Sequence, residues 1–235
     1  MTQTAPDSLQ PSKPRRVGQV EVDGRPGWRK EVETLRLSLR LRKGDPRKGF
    51  EREKATYLSL QGKGLPVPEL LDVGEDFFVT ADAGINLNRI RKANLETPEV
   101  FHKALADGAA ALARLHNGGF CHGRPALKDI CWQDGTITFI DLDNARPGDM
   151  DGRGYARDLL IFLFTAISET GGVGPEISAA ARAYQEADTQ GVWALAVARA
   201  KRLNRWRWAL WPVVKLLNGK REFRAVLPFL DFMTK

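Results

Sequence analysis

Two aspartates stand at neighbouring loop ends in Leu115-His-Asn-Gly-Gly-Phe-Cys-His-Gly-Arg-Pro-Ala-Leu-Lys-Asp129 and the later Phe139-Ile-Asp-Leu-Asp-Asn-Ala-Arg146. Asp129 leads into the first strand of a short hairpin, and Asp141 ends the second. Carboxylates so placed suit magnesium, a hard cation that takes one or two such ligands and completes its shell with water or phosphate. One chemistry such a cation can serve is transfer of a γ-phosphoryl group, where it offsets charge on the β- and γ-oxygens. A hairpin whose aspartates merely cap turns would show the same two residues. The ordered run of helix, Leu-His, glycine turn, His-Gly, spacer, hairpin and Ile-Asp is more specific than any of its parts. Lys128, beside Asp129, is either a phosphate contact or a solvated lysine. Cys121 and Cys131 lack metal-ligand spacing and are too few for a disulfide framework, so they read as reduced thiols. His102 and His116 fall on a helix and read as surface or packing residues.

Periodicity gives the elements that must hold these residues. Val17-Gly-Gln-Val-Glu-Val-Asp-Gly-Arg-Pro-Gly-Trp28 alternates apolar and polar positions around Asp23-Gly24, a hairpin pattern with a tight turn. Its second strand can continue to Val32. Residues 36–43 alternate Leu with mostly Arg, which predicts a strand with a basic face, although both residues also suit a helix. Gly44-Asp45-Pro46 breaks that pattern. Residues 50–61 have helical spacing, closed by Gly62. Leu65-Pro-Val-Pro68 is extended, and 70–73 and 77–80 read as strands around Gly74-Glu-Asp76. Thr97-Pro98-Glu99 starts a long helix with a hydroxyl cap, a first-turn proline and an acid. Phe101, Leu105, Leu112 and Leu115 keep its spacing, and Asn117-Gly118-Gly119 ends it. Strands at 130–132 and 136–140 flank a Gln133-Asp-Gly135 turn. From Tyr155 onward the chain reads as helix. Strands followed by helices predict an α+β fold. The division is a basic disordered tail over 1–16, a small lobe of strands and one helix over 17–82, and a mostly helical lobe over 83–235 carrying the hairpin of 130–141.

The 235 residues suffice for one large domain or two small lobes around a cleft. A net charge of +7 points to anionic partners such as nucleotide phosphates, nucleic acid, phospholipid or a phosphorylated glycan. A merely Arg-rich soluble surface is the plainer reading. The first sixteen residues are polar and lack the apolar region of a secretory signal, and no stretch reaches the roughly 18 apolar residues of a membrane span. A cytoplasmic chain, soluble or peripheral, is therefore expected. Lys201-Arg-Leu-Asn-Arg-Trp-Arg-Trp-Ala-Leu-Trp-Pro212 interleaves cations and indoles. That suits a membrane interface, and equally a terminal helix packing its Trp face on the lobe. No motif predicts specific nucleic-acid binding.

In the layout around Asp129 and Asp141 the chain resembles kinase-like phosphotransferases. Over residues 18–163 it is most similar to the Kdo and heptose kinases of the lipopolysaccharide core. The similarity rests on His122-Gly123, Ile140-Asp-Leu-Asp-Asn-Ala-Arg146, Gly27-Trp-Arg-Lys-Glu-Val32, Phe50-Glu-Arg-Glu-Lys54, Gly64-Leu-Pro-Val-Pro-Glu69 and Arg157-Asp158. The resemblance implies a two-lobed protein-kinase-like fold, ATP and Mg2+ as cofactors, and a sugar or anionic glycolipid as acceptor at the inner face of the inner membrane. It implies that Lys30 contacts the α- and β-phosphates, with Lys43 as competitor, and that Glu53 holds that lysine in an ion pair. Backbone at Ala81 and Ala83 would meet the adenine edge. Asp129 and Asp141 would bind metal and, with Lys128, form the catalytic set, while His122 braces the metal loop. Residues 17–27 hold only scattered glycines, which implies a shorter or looser phosphate-covering loop than protein kinases have.

Two positions depart from the family. Arg124 stands where the catalytic-loop Asp is usual, and Asp129 where Asn is usual. Arginine stays protonated and cannot act as a general base. Three outcomes follow. Asp129 both ligates metal and orients the acceptor hydroxyl, or Asp143 assists, or the chain is a nucleotide-binding pseudokinase with a regulatory or scaffold role. A protein Ser/Thr kinase is a further reading. Arg124 itself either contacts an anionic acceptor or pairs with a structural acid.

Overall fold

The computed structural model describes residues 17–32, 46–93, 97–217 and 219–235. The tail over 1–16, the alternating segment at 36–43 and Lys43 lie outside the described residues.

Strands β1 (Val17–Val22) and β2 (Arg25–Glu31) form the expected hairpin. Its turn residues Asp23 and Gly24 both have positive φ, 50° and 74°, the geometry that matches the twist of paired strands. The register sets Val22 opposite Arg25 at the turn and Val17 opposite Lys30 at the far end. β3 (Leu70–Val73) and β4 (Phe77–Ala81) complete a four-stranded antiparallel sheet in the order β1-β2-β4-β3. Helix α1 (Pro46–Leu60) packs on the sheet, with Phe78 5.4 Å from the Phe50 ring and 5.3 Å from Tyr57. Pro46, read from sequence as a break, is instead the first residue of α1, where its fixed φ suits the helix and its missing N–H is not needed.

β5 (Ile85–Asn86) and α2 (Leu87–Ala93) lead to the long α3 (Pro98–Asn117). Thr97 precedes α3 without a side-chain cap bond, because its ψ of 73° is not the extended geometry that aims a hydroxyl at the first turn. β6 (Phe120–Cys121) later pairs with β9 (Arg146–Pro147). Between them lies the hairpin of β7 (Ile130–Gln133) and β8 (Thr136–Phe139). Its turn is only Asp134-Gly135, with φ of 49° and 88°, so Gln133 joins the strand opposite Thr136.

The rest is helical: α4 (Arg153–Thr170), α5 (Pro175–Ala187), α6 (Val192–Asn204), α7 (Arg207–Leu216) and α8 (Arg221–Thr234). α3 packs along α5, and α4 lies against α6 and α8. Phe101, Leu105, Leu112 and Leu115 are buried and share one core with Leu159, Phe162, Ile177 and Tyr184. His116 is a packing residue, fully buried with Nδ1 2.6 Å from the Tyr184 hydroxyl. The chain is thus α+β, a small sheet region followed by a mostly helical remainder. Among the described residues no helix is long and apolar enough to cross a membrane.

Candidate functional site

A cleft of about 420 Å³ opens between the sheet and the β7–β8 hairpin. Lys30, Glu53, Ala81, Ala83, Asp129 and Asp141 all line it. The first hairpin's turn does not. Gly24, Arg25 and Pro26 instead border a separate hollow of about 620 Å³ beside Asp82 and Trp132. The tight Asp23-Gly24 turn lies at the end of β2 away from Lys30, while Val17 at the other end of the hairpin lines the cleft.

Lys30 reaches the cleft because side chains on a strand alternate faces, and Trp28 lines the same wall. Arg29, on the opposite face, stacks over the Phe77 ring. Lys30 Nζ lies 2.7 Å from Glu53 Oε1 and 2.5 Å from Oε2. Glu53 projects from α1 and is 1% exposed. Burial holds its carboxyl above the usual range, and the Lys30 charge offsets that only in part. Lys30 Nζ is also 3.9 Å from Asp141 Oδ1.

Backbone pairing brings the two aspartates together. The Ile140 N–H donates to the Asp129 carbonyl at 2.9 Å, so Asp129 and Asp141 leave facing segments. Lys128 Nζ sits 2.5 Å from Asp129 Oδ1 and 3.8 Å from Asp141 Oδ2. An ammonium shared by two carboxylates marks a point that a divalent cation could take. Asp129 is buried, and that burial raises its carboxyl pKa against the pull of Lys128. Among the described residues no three His, Cys, Asp or Glu side chains converge on a metal-sized gap. A metal held here would take two hard carboxylate oxygens and fill its shell with phosphate or water, which fits magnesium.

Asp141 has left-handed backbone, φ 62° and ψ 56°, a geometry that costs most non-glycine residues about 1–2 kcal/mol and that aspartate tolerates better than most. Several groups hold it there. Tyr57, buried on α1, lies close enough to Asp141 for the two to interact electrostatically. His122 Nε2 donates to the Ile140 carbonyl at 3.0 Å. Burial lowers the His122 pKa, favouring the neutral ring, whose Nδ1 faces the Arg124 N–H at 3.4 Å. Gly123 has φ +92°, and a Cβ there would stand 2.4 Å from the Asn144 carbonyl oxygen. Only glycine lets this loop approach the turn after Asp141 so closely.

In sequence, Asp158 stands out only by its place in the Arg157-Asp158 string. In the structure it is buried, and its two oxygens accept the Gly123 N–H at 3.1 and 3.0 Å. The apolar residues around it in Tyr155-Ala-Arg-Asp-Leu-Leu160 hint at its burial, but nothing local names its partner. Asp158→Ala would strand the Gly123 amide and is expected to cost about 1–3 kcal/mol. A lower urea midpoint at unchanged slope would register that loss. An unmoved midpoint would mean that Asp158 does not brace the loop.

Arg124 and Asp143 stand apart from the residues that line the cleft. Arg124 is exposed, does not line the cleft, and pairs with no acid among the described residues. Asp143 accepts from the Asn144 amide at 2.6 Å and also lies outside the cleft lining. Trp28, Tyr57, Asn86 and Arg89 line the cleft but were not singled out as site residues. The Cys131 thiol lines it too, but burial pushes its pKa up to about 11, so it stays protonated.

The chain is 30% identical over 149 residues to an uncharacterized protein of Haemophilus influenzae, a match covering 63% of this chain. It spans about three-fifths of that relative's length, 61%. No protein-family model matches the chain.

Proposed function

We propose that this chain is an ATP-dependent phosphotransferase of two-lobed, protein-kinase-like fold, acting on a sugar hydroxyl of lipopolysaccharide-core type or a related glycolipid. The observation that carries the reading is the convergence of a lysine–glutamate pair from the sheet region and two aspartates from the helical region on one cleft. The sheet region is then the small lobe, joined to the helical lobe around Ala81 and Ala83.

Each residue has a task. The Ala81 and Asp82 amides are committed to the Glu69 and Pro26 carbonyls. The Ala83 amide is left to meet the adenine edge. Lys30, steadied by Glu53, takes the α- and β-phosphates. Magnesium held by Asp129 and Asp141 supplies charge neutralisation at the phosphate oxygens. Lys128, 54% exposed at its side chain, turns from the carboxylates toward the γ-phosphate. Asp129 orients the acceptor hydroxyl. Arg124 does not abolish this chemistry, because phosphoryl transfer depends more on positioning and charge than on proton removal.

Thermal unfolding with ATP, with Mg2+ and with both tests the binding half. ATP with Mg2+ near 100 times its Kd is expected to add about 2.7 kcal/mol, a shift of several degrees. Transfer of labelled γ-phosphate to a panel of core sugars tests the rest. No nucleotide-dependent shift would sink the proposal. Binding without transfer to any acceptor would favour the pseudokinase reading, which Arg124 supports by standing where a catalytic-loop Asp is usual. A phosphate gained by the chain itself, read by intact mass, would favour a protein kinase.

A further inference from the structure

The helical end of the chain carries a surface that the cleft does not explain. Trp206, Trp208 and Trp211 are 61%, 74% and 52% exposed. Leu203 and Leu216 beside them are exposed as well. The Trp-rich face therefore does not pack on the lobe, one of the two arrangements its composition allowed. α7 is instead tied down by the Arg207–Asp231 ion pair and by buried Val214. The same stretch of sequence supplies Lys201, Arg202, Arg205, Lys215 and Lys220, all exposed. Lys215 Nζ lies 5.0 Å from the Trp211 ring centre. No Asp or Glu occurs in the sequence between Asp188 and Glu222.

We infer that this face docks on the surface of an anionic lipid bilayer, with the indoles at headgroup level and the cations over lipid phosphates. The inference is independent of the chemistry in the cleft. Indole has an apolar body and one N–H donor, so it gains most where hydrocarbon meets water. α7 has ten residues, too short to span a bilayer and long enough to lie on one. Lysine and arginine stems lie along apolar surface while their charges reach the phosphates. A second copy of the chain fits poorly, because two such faces would set cation against cation. Nucleic acid would match the charge but gives the exposed leucines no partner.

Cosedimentation with vesicles tests this. The chain is expected to sediment with vesicles of equal parts phosphatidylglycerol and phosphatidylcholine, to ignore pure phosphatidylcholine, and to be released as salt approaches about 1 M. Brominated lipid should quench its tryptophan fluorescence. Trp206→Ser, Trp208→Ser and Trp211→Ser combined should weaken binding by about tenfold or more without lowering Tm, since these side chains are exposed. Equal binding to neutral vesicles, or full binding by the triple variant, would overturn the inference. So would a solution dimer that shields the three tryptophans, or displacement from vesicles by a single-stranded oligonucleotide.

Discussion

Asp141→Asn is expected to remove magnesium-dependent ATP binding while leaving the unliganded fold as stable as before. Asparagine keeps the side-chain shape and, like aspartate, tolerates the left-handed backbone found at φ 62°. Only the anionic oxygen is lost, on a residue that faces Lys30 and Lys128 at 3.9 and 3.8 Å. A metal with two protein carboxylates loses half its fixed charge. If that is worth about 3 kcal/mol, affinity falls at least about 100-fold. Calorimetric titration of ATP with Mg2+ and with EDTA separates the metal-dependent part from binding by Lys30 alone. Asp141→Ala should lose the same binding and also destabilise the fold by about 1–2 kcal/mol, because alanine pays the left-handed penalty without a compensating side chain. Retained metal-dependent binding in Asp141→Asn would place the cation elsewhere and remove the basis of the proposed reaction.

Much of this site was legible because its parts are local. Two-residue turns declare themselves through Asp-Gly, so both hairpins and the spacing from Asp129 to Asp141 could be read directly. Lys30 and Glu53 stand out only through the strings that resemble the lipopolysaccharide core kinases; alternation and helical spacing supply the strand and the helix that carry them. What escaped depends on contacts distant in sequence. The Asp158 bonds to Gly123 join residues 35 apart, and no periodicity announces them. β5 and α2 are too short for a pattern, so Asn86 and Arg89 could not be placed in the cleft. The direction of the first hairpin was also hidden. Alternation reveals faces, but only the pairing of β2 with β4 shows which end of the hairpin stands over Lys30 and Asp141. The Trp-rich segment remained ambiguous for the same reason, since composition cannot say whether an indole finds a neighbour.

Lys30→Met should separate the binding role of the lysine from its structural one through a penalty that grows with pH. Glu53 is 2% exposed at its side chain, and Lys30 is the cation beside it. Asp141 and Asp143 act on Glu53 in the opposite sense, raising its pKa together with burial. Methionine would leave this carboxylate without compensation, a change that costs about 3–5 kcal/mol when a buried pair is broken from one side. The Glu53 pKa, already raised, would rise further. A carboxyl whose folded pKa lies above its unfolded value near 4.3 contributes stability that is full below that value and is lost as pH rises through the folded pKa. The variant should therefore lie close to the parent at pH of about 5 and fall well below it near pH 8, in urea melts at each pH. Adding Glu53→Gln removes the stranded charge and should restore most of the loss near neutrality, because the pair's burial costs as much as its attraction returns. Neither variant should bind ATP tightly. A penalty independent of pH, or a double variant no better than Lys30→Met, would mean that packing of the lysine stem, and not the stranded carboxylate, makes Lys30 necessary to the fold.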